Sequence, residues 1–223
     1  MTKVSKVLLI VFGISLASGL VIGCQQTKVE PKKPAVKKEV VSRPTREKPL
    51  VVDTKDKKVL VYAEVNAKYF TEPTRHGVVF KDGSNGDKSV LRAYANQLDF
   101  YDALIKIGAT AGNNVKLDSP AGTAVQGDEL EVTVKWDNKV YDFAEIIKSE
   151  PDQGFAVKFG GNQQASKEKM TGCILCLDTC AVGITSNSTW GWQSFSNGKV
   201  KFFGREAKLP GDGAAVVVTF SKK

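Results

Sequence analysis

The chain has 223 residues, 42% of them apolar and 25% charged, enough to bury a core, which excludes wholesale disorder and fibrous repeats. Its four cysteines are too sparse for a disulfide-stapled mini-protein. The net charge of +8 is uneven: residues 1–24 carry +2, residues 25–58 carry +6, and residues 59–223 hold nineteen charges of each sign. The larger part of the chain thus has no net charge to steer a polyanion, and no nucleic-acid partner is expected.

Residues 1–24 have the form of a signal peptide. Lys3 and Lys6 precede seventeen uncharged residues, Val7 to Gly23, at the short limit for a membrane span and interrupted by Gly13, Ser15, Ser18 and Gly19. The run Val21-Ile22-Gly23-Cys24 resembles the lipobox of bacterial lipoproteins, although Val21 stands where that motif usually has Leu, and Ile22 where it has Ala or Ser. The resemblance implies cleavage before Cys24, a diacylglycerol on its sulfur, and an extracytoplasmic protein held on a bacterial membrane by its lipid. Residues 25–58 contain Pro31, Pro34, Pro44 and Pro49, Lys/Glu runs and no aromatic residue. Such a stretch reads as a disordered basic linker, either a solvated spacer or a segment drawn to an anionic membrane surface.

From residue 59 the pattern changes. Val59 to Val65 reads as a strand, and His76 to Lys81 as a second, ending at Asp82-Gly83-Ser84-Asn85-Gly86. Ser89 to Tyr94 is expected to return as a hairpin strand. Asn96 to Ile107 reads as a helix, with Leu98, Tyr101, Leu104 and Ile105 on one face and Gly108 as the capping glycine. Leu130 to Trp136 alternates as a strand and turns at Asp137-Asn138-Lys139 into Val140-Tyr141. Phe143 to Lys148 reads as a helical turn and Gly154 to Phe159 as a strand. Phe195 to Phe203 reads as a hairpin about Asn197-Gly198, and Ala214 to Phe220 as a terminal strand. The expectation is an α+β domain over residues 59–223, mainly antiparallel β-sheet with one principal helix and a Cys-rich loop.

The strongest chemical motif is Cys173-x2-Cys176-x3-Cys180, flanked by Gly172 and Gly183. Thiolates at this spacing can converge on one soft ion. The spacing also matches the last three cysteines of the bacterial iron–sulfur run, with Met170 at the position of the first. Four readings stand open: an iron–sulfur cluster; zinc or copper(I), with the fourth ligand from His76, Asp178 or solvent; redox thiols; or a structural disulfide with one free thiol and no cofactor. A general secretory signal threads unfolded chains, which favours a disulfide or a metal acquired later. The odd number of thiols left once Cys24 carries lipid argues against a plain disulfide.

His76 is the sole histidine, so any imidazole ligand or Cys–His pair must use it. Gly160-Gly161-Asn162 reads as a tight turn or as a loop whose backbone amides approach a bound cluster or ion. Trp190 and Trp192 read as core or as a cover over the site. No Walker loop, Gly-x-Gly-x-x-Gly or Gly-x-Ser-x-Gly stands in the chain, so the protein is not expected to be an enzyme by itself.

The segments Thr74 to Phe80, Phe100 to Ala109, Phe159 to Asn162 and Gly172 to Asn187 resemble the YdjY-type domain over most of residues 59–222. That resemblance implies an exported or lipid-anchored bacterial protein with a cysteine-centred, ferredoxin-like site at Cys173, Cys176 and Cys180. The functional expectation is an electron-transfer or metal-binding lipoprotein with an iron–sulfur cluster or metal and a membrane redox partner protein. The alternatives are a non-catalytic envelope binding or assembly module held by a disulfide, and a thiol–disulfide oxidoreductase.

Overall fold

Strands with one apolar face must cover that face, and here the faces close on one another. The computed structural model describes residues 42–223. In chain order its strands are β1 (Leu50–Asp53), β2 (Lys58–Val65), β3 (His76–Phe80), β4 (Ser89–Ala93), β5 (Glu129–Trp136), β6 (Lys139–Asp142), β7 (Ile147–Glu150), β8 (Val157–Phe159), β9 (Cys173–Cys176), β10 (Thr185–Asn187), β11 (Lys201–Gly204) and β12 (Ala215–Lys222). Two α-helices accompany them, α1 (Gln97–Lys106) and α2 (Gln163–Lys169).

Eight strands form a closed barrel in the order β2-β12-β5-β8-β10-β9-β3-β4, with β4 pairing back onto β2. The pairs β3–β4 and β9–β10 are parallel and the other barrel pairs antiparallel. Period-two patterning builds the interior. Val59, Val61, Ala63 and Val65 of β2, Leu130, Val132, Val134 and Trp136 of β5, and Val216, Val218 and Phe220 of β12 are all buried in one core. Closure leaves these strands no free edge, which is why β-branched residues can be so dense without inviting edge-to-edge pairing.

The expected α+β architecture is therefore corrected to a mostly-β closed barrel. The helix at α1 is present, capped by the Asn96 side chain, which accepts from the Leu98 N–H at 2.8 Å. It is an accessory: Phe100 packs on Phe220 of β12 at 4.6 Å and Tyr101 on Phe159 of β8 at 5.3 Å between ring centroids. Ser89 to Ala93 does not return as a hairpin. It runs parallel to β3 and closes the barrel on β2. The expected hairpin about Asn197-Gly198 is likewise absent, since β11 pairs with β7. Local turn signals do not specify which distant strand is the partner.

The fold also begins earlier than residue 59. Leu50–Asp53 pairs antiparallel with β2 through a hairpin at residues 54–57, inside the stretch expected as linker. Lys3, Lys6, Cys24 and residues 25–41 of the expected linker lie outside the described residues. Among the described residues, no helix is long and apolar enough to cross a membrane.

Candidate metal centre

The three cysteines of the motif sit outside the main barrel core. Cys173, Cys176, Cys180 and Val79 form a separate buried cluster with Val182 at its edge. On the same segment Ile174, Leu175 and Leu177 belong to the main core. In a regular strand, residues three apart face opposite sides. The pairing of β9 with β3 shifts register on both sides of Val78, with Val79 opposite Cys173 and His76 opposite Cys176. Those irregularities break the alternation and let both sulfurs approach His76.

The loop that returns Cys180 to the cluster is held by polar side chains that are themselves buried. The Asn162 amide donates to the carbonyls of Cys180 at 2.9 Å and Gly183 at 3.0 Å. Ser186 Oγ accepts the Cys180 N–H at 3.2 Å, Thr185 Oγ1 donates to the Ile174 carbonyl at 2.7 Å, and Asn187 Nδ2 donates to the Leu177 carbonyl at 3.1 Å. Close approach requires glycine at Gly183, where a Cβ would stand 2.8 Å from Cys176 Sγ. Gly161 and Asn162 both take the left-handed backbone conformation, φ +87° and +50°, which turns the Asn162 side chain onto the loop.

The ligand atoms of His76, Cys173 and Cys176 lie within 4.8 Å of one another, with His76 Nδ1 3.6 Å from Cys173 Sγ. The Asn85 amide reaches the same sulfur at 3.8 Å. Cys180 belongs to the same buried cluster but is not one of the three residues whose ligand atoms converge. All three cysteines are free thiols.

Residues 50–221 match the profile of the YdjY domain, nearly the whole of the described chain. The chain belongs to the YdjY domain family. It is 42% identical over 175 residues to the uncharacterized protein YdjY of Escherichia coli (strain K12), covering 77% of this chain and 78% of that protein. No solved structure matches.

Within this YdjY domain the structure gathers the ligand atoms of His76, Cys173 and Cys176, holds Cys180 in the same buried cluster, and keeps Asp178 apart. Asp178 is fully buried and its oxygens are committed elsewhere. Oδ1 accepts from Arg75 Nη2 at 2.7 Å and Nε at 2.9 Å, and Oδ2 accepts the Phe195 N–H at 3.1 Å. The expectation of Asp178 as a fourth ligand is replaced by its role as a brace. Gly160, Gly161 and Asn162 act on the cysteine loop through Asn162, which binds carbonyls rather than offering amides to an ion. Trp192 packs with Val115, Val125 and Ala181 and carries the Arg75 guanidinium 5.4 Å from its ring centroid, while Trp190 belongs to the barrel core.

The electrostatics of the YdjY-domain site centre on Cys180. Hydrogen bonding from Cys173 and Cys176 pulls its thiol well below the ordinary range against the effect of burial, helped by Arg75 and the Val182 N–H. Cys176 is pushed well above its ordinary value by hydrogen bonding to the other two thiols and by burial. For Cys173, hydrogen bonding with Cys176 works downward, but Cys180 and burial win and push it up to about 12. Burial pushes the His76 imidazole down to about 4, partly opposed by Cys180, so it is neutral at pH 7 and free to use a ring nitrogen as a ligand. Burial disfavours the charged Arg75, but Cys180 and Asp178 more than compensate and hold it above its usual range.

Sequence reasoning missed Arg75, Asn85 and the Thr185-Ser186-Asn187 run. Arg75 and the run lie inside the segments that carried the family resemblance, next to His76 and the cysteines, and that adjacency was the available signal. Asn85 sits in a turn whose composition explains it without any site.

Proposed function

We propose that this protein is an exported, lipid-anchored metal-binding protein in which Cys173, Cys176, Cys180 and His76 hold a single zinc or copper(I) ion. The observation that carries this reading is the convergence of three ligand atoms, those of His76, Cys173 and Cys176, with Cys180 in the same buried cluster as the candidate fourth. Bonds of ~2.3 Å to sulfur and ~2.0–2.1 Å to nitrogen in a tetrahedron place S and N roughly 3.6 Å apart. His76 Nδ1 and Cys173 Sγ are 3.6 Å apart. An iron–sulfur cluster spreads its thiolates over several separated irons and needs a wider set. Soft thiolates with one neutral imidazole suit zinc or copper(I). The supporting argument for the anchor is the Val21-Ile22-Gly23-Cys24 run.

The test is metal and thiol analysis of the full chain recovered from the membrane fraction of a bacterial host. One zinc or copper per chain is expected, with the three thiols resistant to alkylation until a chelator is added. Stoichiometric iron and sulfide with broad visible absorption would replace the single ion by a cluster in electron transfer. Metal-free chain would overturn the reading. For the anchor, Cys24→Ser is expected to move the protein out of the membrane fraction; unchanged partitioning would sink that half of the proposal.

A second reading has one specific observation behind it. Three free cysteines in one buried cluster, with Cys180 pulled below its ordinary range by the other two, form a set that can exchange with a disulfide, as a thiol oxidoreductase requires. Its mark would be a mixed disulfide trapped on metal-free protein by a Cys176→Ser variant.

A further inference from the structure

The shell around the candidate ion is closed on three sides and open on the fourth. Cys173, Cys176 and Cys180 are buried beneath the clamped loop. His76 is half-buried and lines a surface cleft of about 270 Å³ together with Tyr69, Glu72, Arg75, Lys88 and Phe195. Its Nδ1 faces Cys173, while its Nε2 has no hydrogen-bond partner among the described residues and is not sealed from solvent. A histidine that ligates a metal is normally fixed by a hydrogen bond from its other ring nitrogen to a carboxylate, a carbonyl or water. The cysteine loop is tied down by Asn162 and Ser186, whereas among the described residues no group bonds the outer nitrogen of the His76 ring.

The cleft also carries one uncompensated charge. Glu72 is paired with Lys68 at 3.4 Å, and Arg75 with Asp178. Lys88 is exposed and makes no ion pair among the described residues, and its ammonium bonds only the Asn85 side-chain oxygen there, at 3.1 Å. That same Asn85 amide contacts Cys173 Sγ, so the free cation stands one residue from the sulfur cluster.

We propose that this cleft is an exchange port: His76 is the ligand that gives way, and a small anionic thiol enters beside Lys88 and takes its place on the ion. The inference rests on the single-ion reading above and specifies the ligand class that site exchanges with. The incoming thiol gives its proton to solvent, and its sulfur forms a bond to the ion as the bond to Nδ1 breaks. The imidazole leaves neutral, and no electron changes hands. The entering donor must be soft because it competes for an ion already held by thiolates. It must be anionic because Lys88 is the unpaired charge at the rim. The cleft lies just under the ~300–1,000 Å³ of drug-sized pockets, which suits a small thiol.

The test uses the full chain loaded with cobalt(II), whose thiolate absorption reports the ligand set. Its release to excess chelator is timed with 3-mercaptopropionate or cysteamine, thiols of similar size and opposite charge. The metal content of every protein is measured before any thiol is added. Wild type is expected to release the ion faster with 3-mercaptopropionate, saturably. Relative to Lys88→Glu, its preference for the anionic thiol should be about tenfold larger, a ratio in which the thiols' intrinsic reactivities cancel. His76→Ala should release the ion quickly with no thiol present. Since His76→Ala can also disturb folding, the exposed Lys88 carries the decisive comparison. An unchanged thiol preference in loaded Lys88→Glu overturns the port and leaves the metal site standing. A wild-type chain that takes up no cobalt or zinc overturns the metal reading, and the port with it.

Discussion

The barrel core and the cysteine cluster are both buried, but different forces hold them. The barrel is sealed by many interchangeable apolar contacts, with Val59, Val61, Val134, Val218 and Phe220 each essentially inaccessible to solvent. The cysteine cluster has four buried members and little apolar area of its own. Its shape comes from directed hydrogen bonds by Asn162, Thr185, Ser186 and Asn187, and from the buried Arg75–Asp178 pair. Apolar burial is non-directional and redundant, whereas a hydrogen bond has one geometry and its loss strands a buried partner. Damage to the barrel should therefore lower stability and spare the site below the melting point, whereas damage to the clamps should lower metal affinity along with stability.

The largest separation is expected from two changes of similar cost in stability. Phe220→Ala empties a fully buried aromatic position and should destabilise by ~3–5 kcal/mol, read by denaturant melts, while metal stoichiometry at low temperature is kept. Loss of metal from folded Phe220→Ala would show that the two regions are not separable. Arg75→Met leaves the buried Asp178 carboxylate without its partner and should also cost about 3–5 kcal/mol. Here metal affinity should fall as well, because the charge that faces Cys180 goes with it. The double variant Arg75→Met, Asp178→Asn should recover part of the stability, and no recovery would mean that the pair is not the cause.

A smaller effect is expected at Asn162→Ala. It strands the Cys180 and Gly183 carbonyls, costing about 1–3 kcal/mol. Metal affinity should drop roughly 10–100-fold, as for groups that orient ligands elsewhere. A titration unchanged from wild type would remove Asn162 from the site.

The smallest change is on the barrel's outer surface at Glu64. Burial works to raise its carboxyl, but hydrogen bonds from Arg46, Tyr94 and Tyr62 win and hold it below the ordinary value. A carboxyl depressed on folding adds stability that is present above its unfolded value and is lost as pH falls through the folded one. Glu64→Gln should thus narrow the stability gap between neutral and acid pH, seen in melts from pH 7 to pH 3. A gap as wide as that of wild type would exclude the contribution.

Several of the barrel's strands were legible, though not the barrel itself, because strand signals are local. The alternation in Val59 to Val65 and Leu130 to Trp136 and the capped helix after Asn96 each depend on a few consecutive residues. The short strands β9 and β10 were not read, because a cysteine-rich segment and Thr-Ser-Asn carry no strand pattern of their own. Leu50–Asp53 was hidden in a stretch whose proline and lysine content resembles a tether. At the site, thiol clustering and the lone histidine were visible in composition and spacing. Asp178 was misplaced because a carboxylate between two cysteines looks like a ligand until its arginine is seen.

The sequence alone determined the kinds of residue available: three thiols at fixed spacing, one imidazole, a family membership and a set of alternating strands. Those properties are covalent or local, so they survive without knowledge of what packs on what. Only the tertiary structure decided that β4 closes the strands into a barrel, that His76 meets Cys173 and Cys176, that Arg75 takes Asp178 away, and that the histidine side is the open one. Each of these is a contact across many residues. Such contacts are selected by burial and by pairing of buried charges, and neither can be read from neighbours along the chain.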